Sequence, residues 1–374
     1  MAASSAFDLV RAAEALLEQA KQLAAVTKPG VDDNELELRR SIAQTAKKIA
    51  SETAPKMDVV KADWIISEVA AWNIFIDWKA FDHIPLEGHI SIPDLARALN
   101  AQESLIGKFP HLTHRISPLY LSTNPVSSLC AVAIGNGMKP FSHWPEYFRA
   151  YGRREPPGQT HTPFAFGWGH AALPPWEVKA LHPEYATLFA RSMRSREIVG
   201  GDTVVTGQGA LYDFGWVGRE ARGMGMGRWR WWMSGDRREV ICEAREGGAA
   251  GKLEGVVMME HDFHEEQPVK GALVYILRRI LLDYSDTLAY GILRRLANAL
   301  PADNPKARVL IMEERLLDTP TPQNCIVDLV MLNLGGKLRN EAIYRELAAA
   351  AGLKVVGYYT WGKDSNSVVE CARA

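Results

Sequence analysis

Over the last third of this 374-residue chain, short apolar runs of strand length alternate with amphipathic helical stretches, and this rhythm constrains the fold more than any other feature. Val256-Val257-Met258-Met259, Ala272 to Ile276 and Val309 to Met312 are the strand-length runs, and helical patterns at Leu288 to Leu300 and Asn340 to Ala351 lie between or after them. Parallel strands require a long crossover, usually helical, so this order predicts a mostly parallel sheet covered on both faces. The end of the chain breaks the pattern. Lys354 to Trp361 and Ser367 to Cys371 are β-rich runs separated by Gly362-Lys363-Asp364-Ser365-Asn366, which predicts a hairpin adding an antiparallel edge.

The front half reads differently. From about residue 6 to 60, Phe7, Leu9, Val10, Ala13, Leu16 and Leu17, then Leu36, Leu38, Ile42 and Ile49, recur at helical spacing around a Pro29-Gly30 connector. Trp64 to Phe81 is apolar nearly all round, which calls for a core or a partner chain against it. In Pro85-Leu86-Glu87-Gly88-His89-Ile90-Ser91-Ile92-Pro93-Asp94, Ser91 is a helix N-cap, Pro93 sits in the first turn and Asp94 favours the positive helix end. A short strand, that helix and another through Leu105 to Ile116 suggest a winged helix. Lys and Arg do not cluster on the second helix, so the basic footprint of a DNA reader is missing. The expected organisation is a helical, winged-helix domain over residues 1–155 and an α/β domain over 156–374.

Charge and cysteine usage narrow the function. The 43 basic and 44 acidic residues leave a formal charge of −1, which supplies no sequence-wide field for nucleic acid or an anionic membrane. Cys130, Cys242, Cys325 and Cys371 show neither CxxC spacing nor nearby histidines, so no metal site is expected, and they read as reduced, mostly buried thiols. No apolar run has membrane-span length, and Met1 to Arg11 reads as an amphipathic helix rather than a signal peptide. The expectation is a cytoplasmic protein that binds neither nucleic acid nor membrane.

A set of segments carries a family resemblance: Phe164-Ala165-Phe166-Gly167, Phe189-Ala190-Arg191-Ser192-Met193-Arg194-Ser195, Met259-Glu260-His261-Asp262-Phe263, Leu277-Arg278-Arg279-Ile280-Leu281-Leu282-Asp283-Tyr284-Ser285-Asp286, Val309-Leu310-Ile311-Met312-Glu313 and Leu332-Asn333-Leu334-Gly335-Gly336-Lys337. In this order they resemble the fungal branch of the S-adenosylmethionine-dependent O-methyltransferases, related to plant caffeic-acid-type enzymes. The resemblance implies a Rossmann-like methyltransferase domain behind a dimerising winged-helix domain, a homodimer, and S-adenosylmethionine as cofactor. It places Asp262 and Phe263 beside the adenine, with Arg278 as a basic residue near the cofactor. A carboxylate at a strand end is well placed to accept from an exocyclic amine.

The family's glycine-rich loop, Val-Val-Asp-Val-Gly-Gly-x-x-Gly, is missing where it belongs. The chain instead reads Gly223-Met224-Gly225-Met226-Gly227-Arg228-Trp229-Arg230-Trp231-Trp232-Met233-Ser234-Gly235-Asp236. Tryptophans alternating with arginines make a poor parallel strand. Trp and Met have single codons, so Trp231-Trp232-Met233 is TGG TGG ATG. From the third base this reads GTG, GAT and a codon that is valine if the serine codon begins TC. With permissible codons on either side, the shifted frame spells Val-Glu-Val-Val-Asp-Val-Gly-Gly. We therefore read residues from about 218 to 238 as out of frame, with the family frame resuming near Glu239-Val240-Ile241 and a couple of dozen residues lost. The chain as written is expected to bind S-adenosylmethionine poorly. A transcript encoding Trp229 to Met233 in frame would refute this reading.

A second departure lies in well-matched segments. Leu282 stands where the family's O-methyltransferases carry the histidine that deprotonates the substrate hydroxyl. Leu338 stands where a glutamate orients that histidine, and only the partner Glu313 is retained. A positioned base typically contributes about 10²–10⁴-fold, and leucine cannot take a proton. An apolar cavity without a base suits conformational restriction of a flexible polyene, and fungal relatives of this family include pericyclases of Diels–Alder type. By resemblance, Asp283 and Arg279 are the candidate polar contacts to substrate. Phe166, Trp176, Met193, Met331 and Asn333 are candidate pocket residues, with His111 and His114 able to reach in from the front domain. The first expectation is a pericyclase or cyclase of fungal secondary metabolism acting on a polyketide or polyketide–amino acid hybrid, with the cofactor's methyl group not transferred. The alternatives are an S-adenosylmethionine-dependent O-methyltransferase using another base or an acidic substrate, and a non-catalytic dimer partner.

Overall fold

The computed structural model describes residues 2–25, 33–53, 65–85, 87–108, 120–200, 211–223, 232–236, 241–242, 256–360 and 365–374. They fall into two compact units, Met1–Phe75 and Ile76–Ala374. The functional boundary proposed near residue 155 lies inside the second unit. In the first unit, helices Ala2–Ala24 and Asp33–Thr53 pair, with Gln19 bonded to Ser41 at 2.8 Å, and helix Ile65–Asp77 follows. The Pro29-Gly30 connector lies outside the described residues.

In the second unit the capping expected for Ser91 is realised: its hydroxyl accepts from the Asp94 amide ahead of helix Ile92–Ala98, with proline in the first turn. The next helix, Glu103–Ile106, is short, and His111 and His114 lie outside the described residues.

Six strands are described: β1 Trp232–Asp236, β2 Val256–Glu260, β3 Val274–Arg278, β4 Arg308–Glu314, β5 Leu353–Thr360 and β6 Asn366–Arg373. β1 and β2 form a parallel pair, and the others form a sheet in the order β3-β4-β6-β5. β3 and β4 are parallel, whereas β6 runs antiparallel to both β4 and β5, so the expected hairpin is present and sits on the side of β4 away from β3. The interior of β4, Val309 to Glu313, is wholly buried. One face packs with the Asp286–Ala299 and Glu341–Ala350 helices through Leu293, Ile292, Tyr344 and Val369, while Leu310 and Met312 pack on the other side with Tyr212 and Val368. That two-sided burial is why its sequence is an unbroken apolar run.

Two expectations need correction. Trp232–Asp236 is a parallel strand despite its composition, because the Val-Val-Met-Met ladder of β2 supplies a regular partner, Trp232 opposite Val256 through Asp236 opposite Glu260. Strand formation follows pairing more than intrinsic preference. The alternating Trp/Arg stretch before it lies outside the described residues. The cysteines are also less buried than expected: Cys371 is buried and Cys130 half-buried, but Cys242 and Cys325 are exposed. Cys325 lies on the outward face of its helix next to exposed Ile326.

Candidate functional site

The site is built where the loop after β3 meets the turn after helix Pro322–Leu334. Gly335 closes that helix in the left-handed region at φ 85°, and Gly336 follows. A Cβ on Gly336 would fall 2.0 Å from the Leu282 carbonyl oxygen and 2.5 Å from the Asp283 carbonyl carbon, so only glycine admits this approach. Lys337 then donates its amide to Leu282 O at 2.9 Å. The Gly-Gly-Lys motif thus clamps the short turn Leu281–Asp283.

Glu313 holds the same turn from beneath. It is 3% exposed; Oε1 accepts the amides of Ile280, Leu281 and Leu282, and Oε2 accepts the Tyr344 hydroxyl at 2.7 Å. Burial raises its carboxyl above the ordinary glutamate value, outweighing those hydrogen bonds and the nearby Arg339. A carboxyl so occupied is a structural anchor for the turn. Its protonated form is favoured by folding, so its contribution to stability is greatest below the unfolded value of 4.5 and falls as pH rises toward the folded value. Glu313→Gln removes that titration. Unfolding followed from acid to neutral pH should show the wild type losing stability relative to the variant as pH rises; parallel curves would show that Glu313 does not titrate in this way.

Arg339, fully buried, ties the clamp together through Asp286 Oδ1 (2.8 Å), Leu281 O (2.8 Å) and Tyr284 O (2.7 Å). Asp286 also meets Lys337 Nζ at 2.7 Å. Burial alone would raise the Asp286 carboxyl, but the Lys337 and Arg339 bonds outweigh it and hold it below the aspartate range.

What this scaffold presents is apolar. Leu282 (5% exposed) and Leu338 (2%) lie in one buried cluster with Met331, Phe164, Val132 and Tyr185. The two positions expected to have lost a base and its partner are therefore neighbours in one hydrocarbon wall. A polar chain borders it. Trp144 Nε1, which can only donate, bonds Asn333 Oδ1 at 2.8 Å; this orients the Asn333 amide so that Nδ2 donates to Asn136 O at 3.0 Å. Tyr185 OH donates to Asn136 Oδ1 at 2.5 Å. Burial pushes the Tyr185 phenol far above its ordinary value, so it stays protonated and is a donor rather than a base. Asn136 sits in a π-helical turn, Ile134–Met138, a feature that is frequent at functional sites.

Of the expected pocket residues, Met331 and Asn333 belong to this wall and its polar border. Trp176 stacks edge-on to Phe189, with Lys179 Nζ 3.9 Å from each ring centroid. Phe166 instead faces Tyr147 and Tyr151. Met193 is half-buried on helix Pro183–Gly200. Arg279 adopts φ 54° and pairs with Glu314 at 3.6 Å, a left-handed conformation that an ordinary side chain holds only under constraint. Asp283 ends the clamped turn. Asn136, Trp144 and Tyr185 were not anticipated; the signal was a lone polar residue between Gly135 and Gly137 in an otherwise apolar helical run.

The residues expected to hold the cofactor lie at or just after the carboxyl ends of β2 and β3, the kind of place where open α/β sheets bind ligands. Asp262 follows β2; its Oδ1 accepts the His264 amide at 2.8 Å, and Oδ2 carries no hydrogen bond among the described residues. Phe263 packs half-buried with its ring 5.8 Å from Tyr284, and Arg278 ends β3. A carboxylate with an open oxygen, followed in the chain by an aromatic ring, has the chemistry to meet the amine and ring of an adenosine. The glycine cradle that would hold the remainder is not among the described residues.

The O-methyltransferase domain model matches residues 232–354. A methyltransferase of Aspergillus candidus, cfoD, is 32% identical over 391 aligned positions, covering 92% of this chain and 94% of the relative. The chain belongs to the O-methyltransferase family. Because that alignment is longer than the 374-residue chain, it carries gaps on this chain's side. Its fold is that of OxaC in complex with S-adenosylhomocysteine and oxaline (TM-score 0.80, 16% identity, 99% of this chain and 100% of that one). It is equally that of a structure described as a pericyclic reaction enzyme (TM-score 0.75, 19% identity, 98% of this chain and 100% of that one). Among the described residues, no helix is long and apolar enough to cross a membrane and no cluster of potential ligands could hold a metal ion.

Proposed function

We propose that this chain belongs to a base-independent enzyme of fungal secondary metabolism that methylates an acidic small molecule with S-adenosylmethionine, a cofactor that the segment around 228–235 as written holds weakly. The observation that carries the reading is the Leu282–Leu338 wall with Glu313 wholly engaged beneath it. With no proton acceptor in that wall, the nucleophile has to arrive already ionised, as the anion of an acidic enol, phenol or cyclic 1,3-dicarbonyl of a polyketide or polyketide–amino acid hybrid. The chain's own residues supply orientation: the apolar cluster excludes water, and the Tyr185–Asn136–Asn333 border offers fixed polar contacts. Arg279 and Asp283, at the clamped turn, are the proposed polar contacts to substrate. Bound S-adenosylmethionine would supply the electrophilic methyl group, with Asp262, Phe263 and Arg278 holding its adenosine. The sequence relative spanning nearly the whole chain carries a methyltransferase name, which ranks this above the pericyclic expectation.

Pericyclic cyclisation with the methyl group retained is the second reading, favoured by the same wall and by the fold shared with a pericyclic enzyme. Product mass separates the two. The holoenzyme is incubated with deuteriomethyl S-adenosylmethionine and a panel of cyclic 1,3-dicarbonyls and polyene substrates. Label in the product supports methylation, and an isomer of unchanged mass supports cyclisation.

Restoring the base probes the wall itself. Leu282→His with Leu338→Glu is expected to extend methylation to weakly acidic phenols, with a gain of about 10²-fold or more over the wild type on such phenols. A wild type that already methylates simple phenols faster than the double variant would remove the argument from the missing base.

A further inference from the structure

Away from the apolar wall, a cleft of about 410 Å³ opens between helix Trp144–Tyr151 and the loop that follows it. This is room for one small ring system. Tyr151 forms one side, backed by the buried ring of Tyr147 at 5.1 Å between centroids, and the exposed His161 ring packs directly on Tyr151 at 5.3 Å. Phe166 stands edge-on behind both tyrosines, so the cleft is backed by rings.

Two features argue that the cleft is a built site. The first is charge. Glu155 on its rim is paired with Lys337 at 3.1 Å, which neutralises the one carboxylate lining the cleft. Arg154 bonds Tyr151 O through Nε at 3.3 Å, and its terminal nitrogens have no partner among the described residues. Arg154 thus brings to the rim a planar cation whose terminal nitrogens suit a carboxylate. The second is backbone conformation. His161 holds φ 56°, a left-handed conformation that histidine, like asparagine and aspartate, enters more often than most side chains. The conformation is over-determined, since the His161 amide donates to Ala171 O at 2.6 Å and its carbonyl accepts the Tyr147 hydroxyl at 2.8 Å. These bonds fix the backbone at the rim, and the exposed His161 ring lies on Tyr151 with Nδ1 bonded to the Thr160 hydroxyl at 3.1 Å.

We propose that this cleft binds a planar aromatic acid, its ring laid against the accessible faces of Tyr151 and His161 and its anionic group held by Arg154. The proposal stands apart from the methyl-transfer reading, because it needs neither cofactor nor turnover.

The probe is 4-hydroxybenzoate, titrated into the full-length protein at millimolar concentration by calorimetry or saturation-transfer NMR, with neutral 4-hydroxybenzamide in parallel. Binding of the acid and not the amide is expected. Arg154→Gln should weaken the acid by about tenfold, the scale of losing a charge-assisted hydrogen-bonded anchor. His161→Asn keeps a side chain that tolerates the left-handed region, so the fold is retained while the ring contact is lost, and the acid should bind several-fold more weakly. No binding of the acid, equal binding of the amide, or an unchanged affinity in Arg154→Gln would each overturn the proposal.

Discussion

Gly336→Ala is expected to unfold at markedly lower denaturant concentration than the wild type and to lose activity. Overpacking usually costs about 1–3 kcal/mol, and here the added methyl meets backbone on both sides, so about 3 kcal/mol or more is expected. A Cβ would sit 2.0 Å from Leu282 O and 2.5 Å from Asp283 C, and neither atom belongs to a side chain that can swing away. Relief requires separating the Gly335–Lys337 turn from the Leu281–Asp283 turn. That breaks the Lys337 amide bond to Leu282 O and slackens the contacts that Arg339 makes to Leu281 and Tyr284. Gly335→Ala is the comparison: it meets Gly158 O at 2.9 Å and pays mainly for its φ of 85°, roughly 1–3 kcal/mol. Chemical denaturation with a fitted midpoint reads both. A Gly336→Ala protein as stable as the wild type would mean that the two turns do not approach as described.

The second large effect concerns the cofactor. A chain carrying Val-Glu-Val-Val-Asp-Val-Gly-Gly in place of the residues around 228–235 is expected to bind S-adenosylmethionine about a hundredfold or more tightly than the chain as written. Glycines at a strand-to-helix turn let backbone amides approach the ligand, and a hundredfold corresponds to only about 2.7 kcal/mol. The described residues show what the written segment achieves without them: β1 pairs with β2, and the pair stays separate from the β3–β6 sheet. Exposed Val257 on β2 and Ile276 on β3, at 43% and 39%, are apolar strand side chains lacking the cover that a doubly wound sheet provides. Calorimetric titration of both proteins measures the difference, and equal affinity would show that the written segment is competent.

Much of the second unit was legible because its signals are local. The Gly-Lys-Asp-Ser-Asn break between two β-rich runs marked the hairpin, Ser91-Pro93-Asp94 marked a helix start, and the all-apolar β4 marked a strand buried on both faces. The polar border of the apolar cluster was not legible, because its bonds join residues 49, 189 and 197 positions apart, beyond the reach of any pattern of spacing. β1 was misjudged for a related reason: its composition argues against a strand, and the partner that makes it one lies across a stretch of unrelated sequence. The Leu282–Leu338 substitution was visible only through resemblance. Structure adds that Glu313, retained from the same set, is committed to the backbone beneath them.

The π-turn at Ile134–Met138 gives this family member an evolutionary lever. Such a turn holds one residue more than an α-helical turn, so deleting either glycine beside Asn136 would restore ordinary winding. Each residue of an α-helix turns its neighbour by about 100°, and everything upstream, Val132 included, would be re-indexed around the axis. One codon lost or gained there exchanges the whole column of side chains that this helix packs into the Leu282–Leu338 cluster, a single-step change of that wall without any of those side chains mutating.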